Sequence, residues 1–284
     1  MADEEESAQS GPFDESDHLD PSEKDQAAQH AAPPAVVIHE ILRKEGQEEL
    51  RRGPGAIFWS GLAAGLSMGF SFLALALIQS QVPEGRARHL IASAGYSLGF
   101  VIVVLGRQEL FTESTLTAVL PLLVKRDWET WLSLLRFWAV VLAANLLGTL
   151  IFAGLLAIPG LFDGDVLTAL RQISHEAVGG PFWPTAIKAI FAGWLIALMI
   201  WLLPSARSAR LFVILLLTYV VAIGHFSHVI AGSVEAFFAV FTGDASAYDY
   251  LIGFFVPTIL GNTVGGVALV ALLNHAPLVS DLRD

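Results

Sequence analysis

Residues 223–238, IGHFSHVIAGSVEAFF, set two histidines and a glutamate inside a long apolar run. On a helix, His225 and His228 would lie three apart on one face, continued by Gly232 and Glu235. The other faces would carry Ile223, Phe226, Val229, Ile230, Phe237 and Phe238. An ionisable group at membrane depth is costly, so it turns toward a bundle interior or a pathway. Four chemistries are open to such a stripe. The histidines can bond neighbouring helices, or they can contribute to a metal site, although His-x-x-His with one glutamate leaves the remaining ligand unnamed. They can serve an intramembrane hydrolase, but no Gly-x-Ser-Gly nucleophile stands on a partner span. Lastly, they can line a pore.

A second polar patch, RQELFTEST, puts Arg107, Glu109 and Glu113 between apolar pieces. No straight helix could turn all three away from lipid, and irregular backbone at that depth is tolerated only in protein or beside water. Residues 108–114 are therefore predicted to form a re-entrant loop that breaks the second span. By analogy, the fifth span is predicted to break at residues 231–233, around Gly232 and Ser233.

The elements that position these patches follow from hydropathy. The chain of 284 residues is 54% hydrophobic and 15% charged, with a mean hydropathy of +0.61. That composition is a membrane protein's. Apolar stretches near the length of about 20 residues that crosses a bilayer lie near 57–79, 90–106 (with a second piece at 115–124), 137–158, 183–203, 211–241 and 250–273. Six transmembrane helices are expected. The net charge of −11 resides mostly in an acidic, Pro/Ser-rich stretch at the start, so residues 1–34 are expected to be disordered. Residues 35–54, containing AVVIHEILRKEGQEELRR, show apolar positions at helical spacing and are expected to form an amphipathic helix. Residues 55–276 make the membrane domain, and 277–284 a short tail. The absence of cysteine excludes thiol and disulfide chemistry. Basic residues flanking the spans, among them Arg43, Arg51, Lys125, Arg136 and Arg210, fall on one side, which puts both termini in the cytoplasm.

The two halves repeat. FWSGLAAGLS resembles IFAGWLIALM, and Asn145-x-x-Gly148 recurs as Asn262-x-x-Gly265. VLGRQELFTEST parallels AIGHFSHVIAGS. The interval from Gly106 to Asn145 is 39 residues, and that from Gly224 to Asn262 is 38. Three spans per copy is an odd number, so the second copy enters the membrane from the opposite side: a 3+3 inverted repeat with helices two and five broken.

The order of GYSLGFVIVVLGRQELFTESTLT, FAGWLIALMIWLLPSARSA, HFSHVIAG and LGNTVGG resembles the formate/nitrite transporter family, in a divergent, YfdC-like branch of inner-membrane proteins. The likeness spans roughly residues 55–275. It implies an aquaporin-like all-α fold, a homo-pentamer with a pore in each protomer, residence in the bacterial inner (plasma) membrane, and transport of small monovalent anions or their protonated acids. It implies His228 as the central pore histidine and proton relay, Thr112 as its partner, and Asn262 as a pore asparagine; this chain adds His225, one turn before His228, as a further candidate for the pore and proton relay. Leu110, Phe111, Tyr96, Phe100 and Val221 match the constrictions. The chain departs from the pattern at Ala177, where the family has an entrance lysine, at Gly193 and Gly232 in place of asparagines, and at Ser227 in place of an acid. Arg107, tied to Glu109 or Glu113 or else free to attract anions, and Lys188, snorkelling or facing the pore, are the candidate replacement cations. No enzyme activity, cofactor, metal or nucleic-acid partner is expected. A water or neutral-solute channel, or a non-conducting scaffold or sensor, is the alternative.

Overall fold

The computed structural model describes residue 16 and residues 18–276, and every regular element within them is helical. Within the segment expected to be disordered, Pro21–His30 forms a short helix, α1. The reason is local: Asp20 accepts from the Glu23 amide, and the Glu23 carboxylate accepts from the Asp20 amide, each at 2.9 Å. This is a capping box followed by proline at the first turn. The rest of that expectation, residues 1–15 and 17, and the 277–284 tail lie outside the described residues.

The amphipathic helix is present as α2, Ala35–Arg51. It buries Ile38, Leu42, Gly46 and Leu50, a stripe with a period of four. Gly46 lies against the chain at Thr117, where an added Cβ would sit 1.9 Å from the carbonyl oxygen. Glu49 accepts from the Thr117 hydroxyl at 2.8 Å, and Arg52 bonds Glu109. The His39 ring stacks on His275, with Nε2 and Nδ1 3.0 Å apart.

The membrane body follows. Its helices are α3 (Pro54–Gln81), α4 (Arg86–Ala92), α5 (Ser97–Leu105), α6 (Phe111–Thr117), α7 (Leu120–Lys125), α8 (Trp128–Leu156), α9 (Gly164–Val178), α10 (Phe182–Ala206), α11 (Arg210–Ile223), α12 (Val229–Phe241) and α13 (Val256–Thr263). A 3₁₀ turn joins α4 to α5, and π-helical turns flank α13. Among the described residues, five helical stretches are long and apolar enough to cross a membrane: Pro54–Gln81, Arg86–Leu105, Trp128–Leu156, Phe182–Ile223 and Asp249–Ala276. The fourth, 42 residues long, exceeds one crossing. Within it Arg207 takes a φ of 39°, which redirects the chain between α10 and α11, and these two helices pack side by side.

Two helix pairs make the tightest seams, α3 with α8 and α10 with α13. A Cβ on Gly65 would stand 2.2 Å from the Asn145 carbonyl oxygen, and one on Gly193 2.2 Å from that of Asn262. Without a hydrophobic driving force between helices in lipid, such backbone contact is what holds them together. Gly193 therefore belongs to a helix seam, where an asparagine could not fit, and its identity says nothing about donors in a pore. Large side chains such as Phe70, Ile151, Leu155, Phe212 and Leu260 face outward.

Two groups on α2 make its docking sensitive to pH. Burial, with the Glu109 carboxylate adding to it, pushes Glu49 from its ordinary 4.5 up to about 8. The docked state thus holds a proton that the undocked state releases, so this contribution is full below about 4.5 and is lost as pH rises through about 8. Burial, and then His275, lowers His39 below its ordinary 6.5. Its contribution is full above that value and declines below it, opposing Glu49 there. Above about 6.5 Glu49 acts alone. Hydrogen exchange of the α2 amides, corrected for intrinsic rates, should quicken from about pH 6.5 to pH 8, and Glu49→Gln should abolish that trend.

Candidate pore and its two vestibules

The helical spans break at two corresponding places. After α5, Gly106 is followed by Arg107 in the left-handed region, φ 50°, and Gln108 N bonds Val103 O at 3.0 Å. After α11, Gly224 is followed by His225, φ 48°, and Phe226 N bonds Val221 O at 3.0 Å. Positive φ is uncommon for such side chains. Each chain then extends, at Leu110 and His228, before re-entering helix as α6 and α12.

A buried asparagine holds each break. Asn145 Nδ2 donates to Gly61 O and Glu109 O, at 2.7 and 2.9 Å, and its Oδ1 accepts from Phe111 N at 2.9 Å. Asn262 Nδ2 donates to Ala189 O and Ser227 O, at 2.7 and 2.9 Å, and its Oδ1 accepts from Val229 N at 2.8 Å. The backbone freed by breaking the helix is thereby satisfied where no water is at hand.

This geometry corrects the expected positions. The second break lies at residues 224–228, and Ala231, Gly232 and Ser233 are inside α12. Ser233 stays helical by bonding its hydroxyl back to Val229 O, whereas the turn at His225 and the capture of Val229 N by Asn262 interrupt the helix. The irregular part of the first break likewise ends at Leu110, and residues 111–114 are helical. His225 and His228 thus sit in the break and not on one helical stripe.

His228 is buried and precedes the first turn of α12. Its Nδ1 accepts from Ala231 N at 3.1 Å, so that nitrogen carries no hydrogen. Nε2 must then hold the proton of the neutral ring and donate it to Thr112 Oγ1, 2.7 Å away. The Phe100 ring meets the imidazole edge-on, 5.1 Å between centroids.

Two cavities flank this pair. One, of about 600 Å³, is lined by Tyr96, Val221, His225, His228 and Lys188, together with Ala177, Ser227, Gly232 and Glu235. The other, of about 560 Å³, is lined by Arg107, Leu110, Glu109 and Glu113 and by the α2 residues Glu45, Glu48 and Glu49. Phe100, Phe111, Thr112 and Asn262 line neither: they are buried, Phe111 against Trp138 at 5.7 Å. All three hydrogen bonds of Asn262 go to backbone, which makes it the holder of the His228 loop and not a group offered to a solute. Arg107 pairs with Glu45 at 3.5 Å, and Glu109 pairs with Arg52. The expected tie from Arg107 to Glu109 or Glu113 is therefore replaced, because α2 supplies a carboxylate nearer to the guanidinium. Lys188 is exposed and shares the first cavity with His225.

The sequence reading missed α9 and its residues. Asp163 caps this helix, Val166, Ala169, Leu170 and Ile173 form its buried stripe, and Ile173, His175 and Glu176 line the first cavity as α2 lines the second. The signal was present: an amphipathic segment precedes the second half of the repeat as α2 precedes the first. His89, stacked on His225 at 4.2 Å and 5°, was also missed.

A bundle of long apolar helices, with two of its helical runs interrupted and asparagine-tied between facing cavities, is a multi-pass membrane protein of the channel and transporter class. The chain belongs to the formate/nitrite transporter family, whose model, described as formate/nitrite transporter, matches residues 36–276. It is similar to the inner membrane protein YfdC of Escherichia coli (strain K12), 39% identical over 250 residues that cover 88% of this chain and 81% of that protein. It is also similar to the formate channel BtFdhC of Bacillus thuringiensis, 25% identical over 244 residues, 84% of this chain and 93% of that one. Among solved structures, a pentameric formate channel with formate bound shares the fold, with a TM-score of 0.69 at 23% identity over 80% of this chain and 98% of that chain.

The asparagine ties carry a stability prediction. Asn262→Ala leaves Val229 N buried without a partner, at about 1–3 kcal/mol, and takes the donor from the part-buried Ser227 O. Asn145→Ala does the same to Phe111 N and Glu109 O. Both variants should lower the melting temperature in detergent by similar amounts. An unchanged value for Asn262→Ala would return that residue to the pore lining.

Proposed function

We propose that the chain is a membrane channel or transporter for small monovalent anions, or for their protonated acids, with a pore in each protomer that runs between the two cavities past His228. The observation that carries this reading is the buried His228–Thr112 hydrogen bond, with His228 lining one cavity and Leu110 and Glu113, on either side of Thr112 in the chain, lining the other. In this reading six crossings form the 3+3 inverted repeat, with α5/α6 and α11/α12 as the broken helices. Five copies assemble, as in the solved formate channel of the same fold, in a bacterial inner membrane with the α2 face cytoplasmic, as the flanking basic residues indicate.

Roles follow from chemistry. Phe100, Leu110, Phe111, Tyr96 and Val221 act as apolar filters that a bare carboxylate crosses only at a large desolvation cost, and a neutral acid at far less. His228 offers a polar centre at the positive end of α12, with Thr112 as partner and Asn262 as support. To act as proton relay the ring must take a second proton at Nδ1, where Ala231 N now donates. Relay is therefore tied to release of the first turn of α12. Arg107, paired with Glu45, and Lys188 supply the cations at the two sides.

A neutral-solute channel is the second reading, and one observation favours it. The cavity under α2 places five glutamates, 45, 48, 49, 109 and 113, against three arginines, 52, 107 and 210. Once Glu49 gives up the proton that burial holds up to about pH 8, the excess of carboxylates at this mouth repels anions.

The test is flux into proteoliposomes of formate, nitrite, chloride, urea and water, compared side by side. Anion transport should dominate. His228→Asn should fold, because asparagine is a good N-cap, and should flatten the dependence of formate flux on pH between about 5 and 8. Urea or water flux without anion flux would select the second reading.

A further inference from the structure

The first cavity contains a feature that the pore reading does not use. His89, from α4, and His225, at the left-handed turn of the second break, stack face to face with centroids 4.2 Å apart. Both line the mouth of that cavity with Lys188 of α10. Stacking on the half-buried His89 holds the exposed His225 in place, since its φ of 48° leaves the residue projecting from the turn. His89 Nε2 lies 3.4 Å from the carbonyl oxygen of Ile223, so this nitrogen is the donor and the ring carries its hydrogen there. Ile223 ends α11, and the negative end of a helix favours a cation beside it.

The groups that face the pair come from every neighbouring element. From α9 come His175 and Glu176, with Glu176 Oε2 3.8 Å from His225 Nδ1. From α12 comes Glu235, and His228 lies at the floor. On α4 itself, Arg88 is committed to Gln79 O and Glu84. With the histidines neutral, Lys188 and Glu176 carry opposite charges at the cavity, and protonation of His89, His175 and His225 adds positive charge to it. The cavity thus becomes more positive as pH falls through the range in which histidine titrates.

Resting on the transport reading above, we propose that His89, His225 and Lys188 form an acid-loaded site for a small monovalent carboxylate or similar oxyanion at the mouth of this cavity. Two imidazolium rings at 4.2 Å repel one another, and an anion between them and Lys188 offsets that repulsion. Anion binding and proton uptake therefore reinforce each other. The site takes the place of a fixed entrance cation, for which this chain has Ala177, and makes loading from this side depend on the acidity of that side. The other mouth carries Arg107 at the corresponding turn, a cation that does not titrate, so the two mouths respond differently to pH.

The probe is formate, which stays ionised at both pH values used because carboxylic acids titrate near pH 4. Saturation transfer from the detergent-solubilised protein to the formate proton detects weak binding without requiring transport. Histidine loses its charge as pH rises through this range, so the wild-type signal should be several-fold weaker at about pH 7.5 than at about pH 5.5. His89→Gln/His225→Gln should give the same weak signal at both values. His225→Lys should give a strong signal at both, because its cation is fixed, and this gain also separates loss of charge from loss of fold. A wild-type signal that does not change with pH, or a double variant that keeps the acid-dependent signal, overturns the proposal. Proteoliposome formate flux is measured alongside. Acid-dependent binding without flux supports the site and refutes the transport reading, whereas flux with an unaltered apparent KM ratio between the two pH values in the double variant refutes the site and leaves transport standing.

Discussion

Backbone amides and carbonyls released at membrane depth must find partners, and in this molecule two asparagine side chains supply them. Each places one acceptor on the amide that restarts a half-helix and one donor on the carbonyl just before it. Everything between the cavities depends on those ties. They set the left-handed turns that expose Arg107 and His225, the extended residues Leu110 and His228, and the starts of α6 and α12. Each asparagine's backbone in turn lies against a glycine of the partner helix, Gly65 or Gly193. The same residue thus cements a seam through its main chain and a loop through its side chain, which is why the seam and the loop stay in register.

The two sides of the molecule are similar in shape and unlike in charge. An amphipathic helix lies at each cavity, α2 at one and α9 at the other. The α2 side gathers carboxylates, with Arg52 and Arg107 each committed to one of them, and burial drives Glu49 to hold its proton. The α9 side gathers histidines around Lys188. Related backbones therefore present two surfaces that titrate over different ranges. A pore built this way would not treat its two sides alike, whichever solute it passes.

His228 shows how position limits chemistry. Its imidazole is held at both nitrogens, one by a backbone donor and one by a hydroxyl, so the neutral ring is fully employed. Any role as an acid requires movement in the first turn of α12. The neighbouring His225 is exposed and stacked, with its nitrogens open to solvent and to Glu176. Two histidines three residues apart thus occupy opposite environments, one buried and one exposed.

Hydropathy alone determined that the chain crosses a membrane through apolar helices, that an amphipathic helix precedes them, and that the halves share Gly106/Gly224 and Asn145/Asn262. Those properties are local or periodic, so they can be read from residues in order. Composition did not foretell the helix at Pro21–His30, where a four-residue capping box outweighed the acidic content and formed α1. The exact place of the second break was decided by tertiary structure: Gly232 and Ser233 have breaker composition, yet only Asn262, 33 residues beyond Val229, determines which amide leaves the helix. The partners of Arg107 and Glu109 were decided the same way, because α2 returns over the loop and brings Glu45 and Arg52 within reach. The stacking of His89 on His225 joins residues 136 positions apart. No spacing rule reaches that far, since the contact exists only once α4 and the end of α11 are packed together.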